Sequence, residues 1–262
     1  MNEIDDIFNY LVDTIKLIST STFGDKMILK GGSVLISKMI ENDRSDMYRK
    51  TSDIDIHCDK KELWIDFYKN IESILNNNSL GYKYKMIHRR SEEKGLNTSD
   101  SLKFKLYDTN IDKEIEFKID MNIKSNTIIT YEYSQTLQMS TYDALTMLSD
   151  KIVVVSSQKI YRRIKDLYDL IVLVSLYNFE YDDILNHLGM KHQGAILENM
   201  LTNNNFKDIN HAYSKYRGIQ NKPDIMTVIS IAQAFLQPIY NPDNVKHNIT
   251  WDKEKSSWSE HC

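Results

Sequence analysis

Two aspartates one residue apart, Asp53 and Asp55, would share one face of a β-strand while Ile54 and Ile56 turn into a core behind them. Carboxylates fixed in that way make a cradle for Mg²⁺. Upstream, Lys30-Gly31-Gly32-Ser33 offers what a phosphate needs: backbone that can be approached closely, and free N–H groups with a hydroxyl where a helix begins. Each element alone has an ordinary explanation, since Asp-x-Asp also describes a solvated amphipathic strand and Gly-Gly a tight turn. The glycine element is not a P-loop, because it lacks the reach to Gly-Lys-Ser/Thr. It is the order of strand, glycine pair, serine, helix and aspartate strand that points to a metal-bound nucleoside triphosphate, with Gly32 and Ser33 on its phosphates.

Asp120 is the natural third carboxylate if its strand lies beside the Asp53–Asp55 strand with its polar face turned the same way. Nucleotidyl transfer by the two-metal route uses such a cluster: one ion activates the attacking hydroxyl, the other offsets the leaving pyrophosphate, at a separation of about 3.5–4 Å. A further group lies downstream. Asp150-Lys151 precedes a valine-rich run, and Arg162, Asp166 and Asp169 fall at i, i+4 and i+7, which predicts one helix face. Lys151 and Arg162 would grip triphosphate oxygens, and a carboxylate on that face would orient the lysine or the acceptor. The plain alternative is a solvated helix laced by an Arg162–Asp166 pair worth about 0.3–0.5 kcal/mol. His88-Arg89-Arg90 and the cluster from Lys159 to Lys165 are candidates for tracking an RNA backbone, with Tyr161 or Tyr168 to stack. His57 reads as a supporting residue of the aspartate strand.

The elements that must position these groups follow from periodicity. Ile4, Ile7, Phe8, Leu11, Val12, Ile15 and Ile18 predict an amphipathic helix from Asn2 to Thr20. A short strand over Lys26–Lys30 leads to a helix capped by Ser33, then an exposed charged loop over Glu41–Lys50, the strand Ser52–His57, and a helix over Lys61–Asn76. Strands are expected over Tyr82–Ile87, Ser101–Tyr107 and Lys113–Asn122, the last two joined as a hairpin through Asp108-Thr109-Asn110. Beyond about Tyr133 the pattern reads as helix: Tyr142–Val155, Lys159–Leu176, Tyr181–Leu188, Gln193–Leu201, Phe206–Lys215 and Ile225–Leu236. The expectation is an α+β chain, with a mixed sheet flanked by helices over residues 1–135 and a helical domain over 136–262.

Composition narrows the class. At 262 residues and 41% apolar content the chain can bury one large core or two modest ones. No run of eighteen apolar residues occurs and the N-terminus is acidic, so no membrane span or signal peptide is expected and the compartment is taken as the cytoplasm. Two cysteines, Cys58 and Cys262, argue against a disulfide or structural zinc. The net charge of −4 excludes a uniformly basic nucleic-acid binder and leaves room for a local basic groove.

Lys30-Gly31-Gly32-Ser33, Arg49-Lys50-Thr51-Ser52-Asp53-Ile54-Asp55, a strand carrying Asp120, Asp150-Lys151, and Arg162-Arg163-Ile164-Lys165-Asp166-Leu167-Tyr168-Asp169-Leu170 together resemble the AbiEii/AbiGii (MenA-type) toxin family of nucleotidyltransferases. Phe235-Leu236-Gln237-Pro238, Trp251 and Trp258 resemble its closing segment, so the likeness runs from about Met27 to Trp258. The resemblance implies a DNA polymerase β-like domain joined to a helical domain, acting as the toxin of a toxin–antitoxin or phage-abortive-infection pair. It implies transfer of nucleotides from a triphosphate to RNA, at the 3′ end of tRNA in characterised members. By position it implies Ser33 on phosphate, Asp53 and Asp55 on the metal, Lys151 on the triphosphate and Asp166 completing the active site, with a cognate antitoxin as partner. Nineteen residues separate Ser33 from Asp53, so the loop Glu41–Lys50 reads as an insertion. A small-molecule or protein nucleotidyltransferase, and a non-catalytic binding module of the same fold, are the alternatives.

Overall fold

The computed structural model describes residues 6–94, 97–123, 129–156, 160–192, 197, 201, 203–242 and 248–260. The helix expected over Gln193–Leu201 lies outside these apart from residues 197 and 201. The chain divides into two compact units, one of residues 1–127 and 131–142, the other of residues 128–130 and 143–262. The fold is α+β: a mixed seven-stranded sheet with helices comes first in the chain, and a mostly helical unit follows.

In the first unit α1 (Asp6–Ser19) buries the stripe Phe8, Leu11, Ile15 and Ile18. There follow β1 (Ile28–Lys30), α2 (Gly31–Glu41), β2 (Asp53–Cys58) and α3 (Lys61–Asn76), whose buried face is Trp64, Phe67, Ile71 and Leu75. Three long strands come next, β3 (Tyr82–Lys94), β4 (Asn97–Asp108) and β5 (Lys113–Ile123), then β6 (Tyr131–Ser134) and β7 (Met139–Tyr142). The spatial order is β3-β4-β5-β2-β1-β7-β6. The β2–β5 and β1–β7 pairs are parallel and the other pairs antiparallel.

Alternation fixes the two faces. Ile54 and Ile56 of β2, Ile115, Phe117, Ile119 and Met121 of β5, and Leu102, Phe104 and Leu106 of β4 are buried on one side. The residues between them, Asp53, Asp55, Lys118, Asp120, Ser101 and Lys103, form the other side, half or fully open to solvent. The expected hairpin is present, closed by a turn in which Asp112 has φ of 54°.

Several expectations are corrected. Ser33 does not cap α2: the helix opens at Gly31 with Lys30 as its N-cap, because the glycine pair lets the chain turn directly off β1, and Ser33 is buried within the first turn. The segment 41–50 is not simply exposed, since Tyr48 and Arg49 are fully enclosed after a 3₁₀ turn over Ser45–Met47. The stretch after Tyr133 is not all helix. β6 and β7 form a four-residue ladder turning at Gln138, whose φ is 53°, and strands this short carry too few residues to display a period.

The second unit contains α4 (Ala144–Val155), α5 (Ile164–Leu176), α6 (Tyr181–Lys191), α7 (Asn203–Lys215) and α8 (Ile225–Tyr240). A small antiparallel sheet, unforeseen in the sequence, joins β8 (Phe179–Glu180), β9 (Ile249–Asp252) and β10 (Ser257–Glu260). Trp251 and Trp258 pack with Phe235, and the Trp251 indole N–H donates to the Val174 carbonyl at 2.7 Å. Asp143 caps α4, its carboxylate accepting from the Thr146 N–H at 2.7 Å.

Arg162 is the other correction. It does not share the helix face of Asp166 and Asp169, because residues Ile160–Arg162 form a separate 3₁₀ turn closed by the Arg163 N–H on the Ile160 carbonyl at 2.7 Å. Helical bonding restarts from the Arg163 carbonyl, which accepts from Leu167 at 2.9 Å, leaving Arg162 exposed over the Tyr161 ring.

Candidate active site

The open face of the first unit is organised as rows running across the strands. In one row Lys30 of β1 lies opposite Asp55, Asp55 opposite Asp120, Asp120 opposite Ser101, and Ser101 opposite Arg90. In the adjoining row Asp53 lies opposite Lys118, Lys118 opposite Lys103, and Lys103 opposite His88. Asp53, Asp55 and Asp120 are thus gathered on neighbouring strands. Direct opposition of Asp55 and Asp120 is unfavourable by itself, since like charges on paired strands repel. Asp120 Oδ1 is buried and accepts no hydrogen bond.

The glycine turn closes over this pair. Gly31 has φ of +74°, and a Cβ placed there would sit 2.0 Å from Asp55 Oδ2, so only glycine allows the backbone this close. The sequence argument put Gly32 and Ser33 on the phosphates and overlooked Gly31, although its position directly after the strand is the available signal. At Gly32 a Cβ would meet Thr51 Oγ1 at 2.6 Å and the Arg49 guanidinium at 3.1 Å, so that turn rests on the segment leading into β2. Ser33 Oγ and Thr51 Oγ1 are both buried without a hydrogen-bond partner. Hydroxyls left in that state near a helix N-terminus are suited to an anion.

A cleft of about 520 Å³ opens on the same face, lined among others by Asp55, Asp120, His88, Arg90, Lys103 and Lys118. The strand β3 reaches it through a bulge. Met86 is opposite Phe104 and His88 opposite Lys103, so Ile87 is the extra residue, and His88 and Arg90 turn to the open face. Arg89 turns away and grips Asp100 through Nε at 3.2 Å and Nη2 at 2.7 Å, while the Trp64 indole donates to Asp100 at 2.6 Å. The basic triplet expected to act as a unit is therefore split, with Arg89 structural. Lys103 holds Glu116 at 2.5 Å, and its hydrogen bond keeps that carboxyl below the usual range. His57 is buried, with Nε2 2.8 Å from Asp59.

Among the described residues no three His, Cys, Asp or Glu side chains converge tightly enough to cage a metal ion by themselves. Mg²⁺ bound with a nucleotide does not need such a cage: one or two carboxylates suffice when phosphate oxygens and waters complete the shell. The opposed Asp55 and Asp120, with an unsatisfied buried oxygen on the latter, fit that requirement.

In the second unit Lys151 of α4 sits between Asp166 at 2.6 Å and Asp169 at 2.7 Å, both on α5. Asp169 is fully enclosed. Burial alone would lower the Lys151 ammonium, but the Asp169 and Asp166 carboxylates outweigh it and hold the pKa above its ordinary value. An ammonium has three donors and these acids take two, which leaves one for an oxygen ligand. The sequence argument placed Asp169 on the face whose carboxylate would orient the lysine but gave the active-site role to Asp166; the further signal for Asp169 is an acid set within the apolar stripe of Leu167, Tyr168 and Leu170.

The sequence matches the family described as "Nucleotidyl transferase AbiEii toxin, Type IV TA system" over residues 15–225, and the chain belongs to that family. Two solved structures from Helicobacter pylori are similar. JHP933 is 14% identical with a TM-score of 0.52, covering 91% of this chain and 93% of its own. A protein described as a candidate nucleotidyltransferase is 14% identical with a TM-score of 0.54, covering 94% and 100%. At that identity they bear on the fold alone. No curated protein sequence matches the chain. Among the described residues no helix is long and apolar enough to cross a membrane.

Proposed function

We propose, from membership of this nucleotidyltransferase toxin family, that the chain transfers nucleotides from an NTP to RNA, at the 3′ end of tRNA, as the toxin of a toxin–antitoxin or abortive-infection pair. The observation that carries the reading is the opposed Asp55–Asp120 pair beneath Gly31, with a buried carboxylate oxygen lacking any partner. Its substrates make the cytoplasm the working compartment and a cognate antitoxin protein its expected partner.

In the proposed reaction an RNA 3′ hydroxyl attacks the α-phosphorus in line. A new oxygen–phosphorus bond forms, the bond to the bridging oxygen breaks, and pyrophosphate leaves with the electron pair. Mg²⁺ held by Asp53, Asp55 and Asp120 would, when bound, offset the charge that develops on the phosphate oxygens. Asp120 takes the hydroxyl proton. The N–H groups of the Gly31–Gly32 turn and the Ser33 hydroxyl receive the departing phosphates. Lys151, oriented by Asp166 and Asp169, supplies a positive charge to the triphosphate.

The test is label transfer from each of the four NTPs to total RNA, with and without chelator, by wild type and Asp55→Ala. Wild type should label RNA, chiefly in the tRNA size range, in a reaction abolished by chelation and restored by Mg²⁺. Asp55→Ala should lose about 10²–10³ of the rate, by analogy with removal of one preorganised electrostatic group. Full transfer by a well-folded Asp55→Ala protein would refute the assignment. Label appearing in protein or in a small molecule instead of RNA would move the acceptor to that class.

A further inference from the structure

We infer that the acceptor strand lies along the open face of β5, β4 and β3, on the row Lys118, Lys103 and His88 with Arg90 alongside, and enters the site from the side of β2 opposite the glycine turn. The inference rests on the reading of Asp53, Asp55 and Asp120 as the metal carboxylates. In the sheet order β2 stands between β5 and β1, and β1 runs directly into the Gly31–Ser33 turn. In-line displacement puts the attacking and departing oxygens on opposite sides of the phosphorus. If the leaving phosphates occupy the glycine turn beyond β1, the nucleophile must approach from β5.

That side carries what a polynucleotide end requires. Lys118, Lys103 and His88 succeed one another on adjacent strands, in steps of about 4.8 Å. The row begins at Asp53. Lys118 and His88 make no ion pair among the described residues, whereas Lys103 is shared with Glu116 and Arg90 with Glu92. Lys105 and Lys85 continue the cationic side chains on the next row away from the metal carboxylates, Lys105 being held by Glu114, whereas beyond Arg90 the row Asn122, Ser99 and Glu92 offers none. The bulge at Ile87 is the second support. Without it Ile87 and Arg89 would face the cleft in place of His88 and Arg90, and bulges that re-aim side chains recur beside active sites.

The experiment uses the full chain and compares wild type with the double variants Lys118→Gln/Lys103→Gln and Lys118→Arg/Lys103→Arg. It reads the KM for RNA, the KM for NTP and the salt dependence of RNA binding. The Gln variant should raise the KM for RNA about tenfold and flatten the slope of log K against log salt by about 1.4, at about 0.7 per lost contact. Its KM for NTP should be unchanged, and the Arg variant should restore RNA affinity. Both lysines lie on the solvent face, so an unchanged thermal midpoint separates lost contacts from lost fold. An unaltered KM for RNA and slope in the Gln variant would overturn the inference, as would a rise in the KM for NTP alone, which would give the row to the triphosphate. Absence of RNA labelling by wild type itself would remove the acceptor reading and this one with it, an outcome distinguishable from a variant that labels RNA as well as wild type.

Discussion

The charged groups of the two units are built on opposite principles. On the sheet, Asp55 and Asp120 face each other across one parallel pair with Asp53 beside them and Lys30 opposite Asp55, on a face half open to solvent where the Asp120 Oδ1 accepts no hydrogen bond. In the helical unit Lys151 already has Asp166 and Asp169 within 2.7 Å, with Asp169 fully enclosed and Lys151 and Asp166 half-buried. The first keeps its carboxylates on a wet face with an oxygen left over, and the second compensates its buried charge from within, with one ammonium donor to spare. Substitutions should therefore affect activity and stability in different proportions in the two places.

The largest effect expected is on stability, at Asp169. Converting Asp169 to Ala leaves the Lys151 ammonium buried with half its compensation, and should cost about 3–5 kcal/mol in urea unfolding. A loss below about 1 kcal/mol, the range of exposed pairs, would mean that the cluster does not compensate its charge from within. Asp55→Asn should do the reverse. Transfer activity should fall by about 3–4 kcal/mol in the barrier, while the unfolding midpoint stays nearly level, as for a substitution on a face half open to solvent. A clear drop in midpoint would erase the contrast between the two regions.

Gly31→Ala should fall between these. The positive φ costs about 1–2 kcal/mol for an L-residue, and the added methyl displaces the Asp55 carboxylate, so both midpoint and activity should decline; full activity at a lowered midpoint would detach the turn from the site. The smallest effect is with pH. Burial first, then the Lys191 charge, pulls His187 below its ordinary pKa. A depressed folded value gives stability that is present above the unfolded value of about 6.5 and is lost as pH falls through the folded one. The midpoint should decline between pH 7.5 and 5, and His187→Leu should flatten the decline. The Lys151 contribution has the other sign: its raised pKa keeps it intact below about 10.4 and removes it only as pH climbs through the folded value. Neutral pH is thus insensitive to it.

Much of the sheet site was legible because a strand's period is two and half of it is wet. Asp53-Ile54-Asp55 and the alternation from Lys113 to Asn122 announce both their faces. The neighbourhood of Asp120 was a conditional expectation, since which strands pair is a tertiary fact. The bulge at Ile87 was invisible for a related reason: one additional residue changes no composition yet reverses every side chain beyond it. Arg49 was read as part of a charged loop, because nothing local tells a buried guanidinium from a solvated one. On the helices the difficulty was continuity. Ile160 and Ile164 are four apart and both buried, so a 3₁₀ turn followed by a fresh helix reads the same as one unbroken helix, and Arg162 was assigned to the wrong face.

The extra residue at Ile87 also bears on how the open face of β3 can change. Flattening the bulge with the sequence unchanged would turn Ile87 and Arg89 to the cleft in place of His88 and Arg90, and would pull the Asp100 anchor loose. Deleting the residue itself would keep His88 opposite Lys103 and Arg90 opposite Ser101 on a regular ladder, and point changes at positions 88 and 90 alter the open face alone.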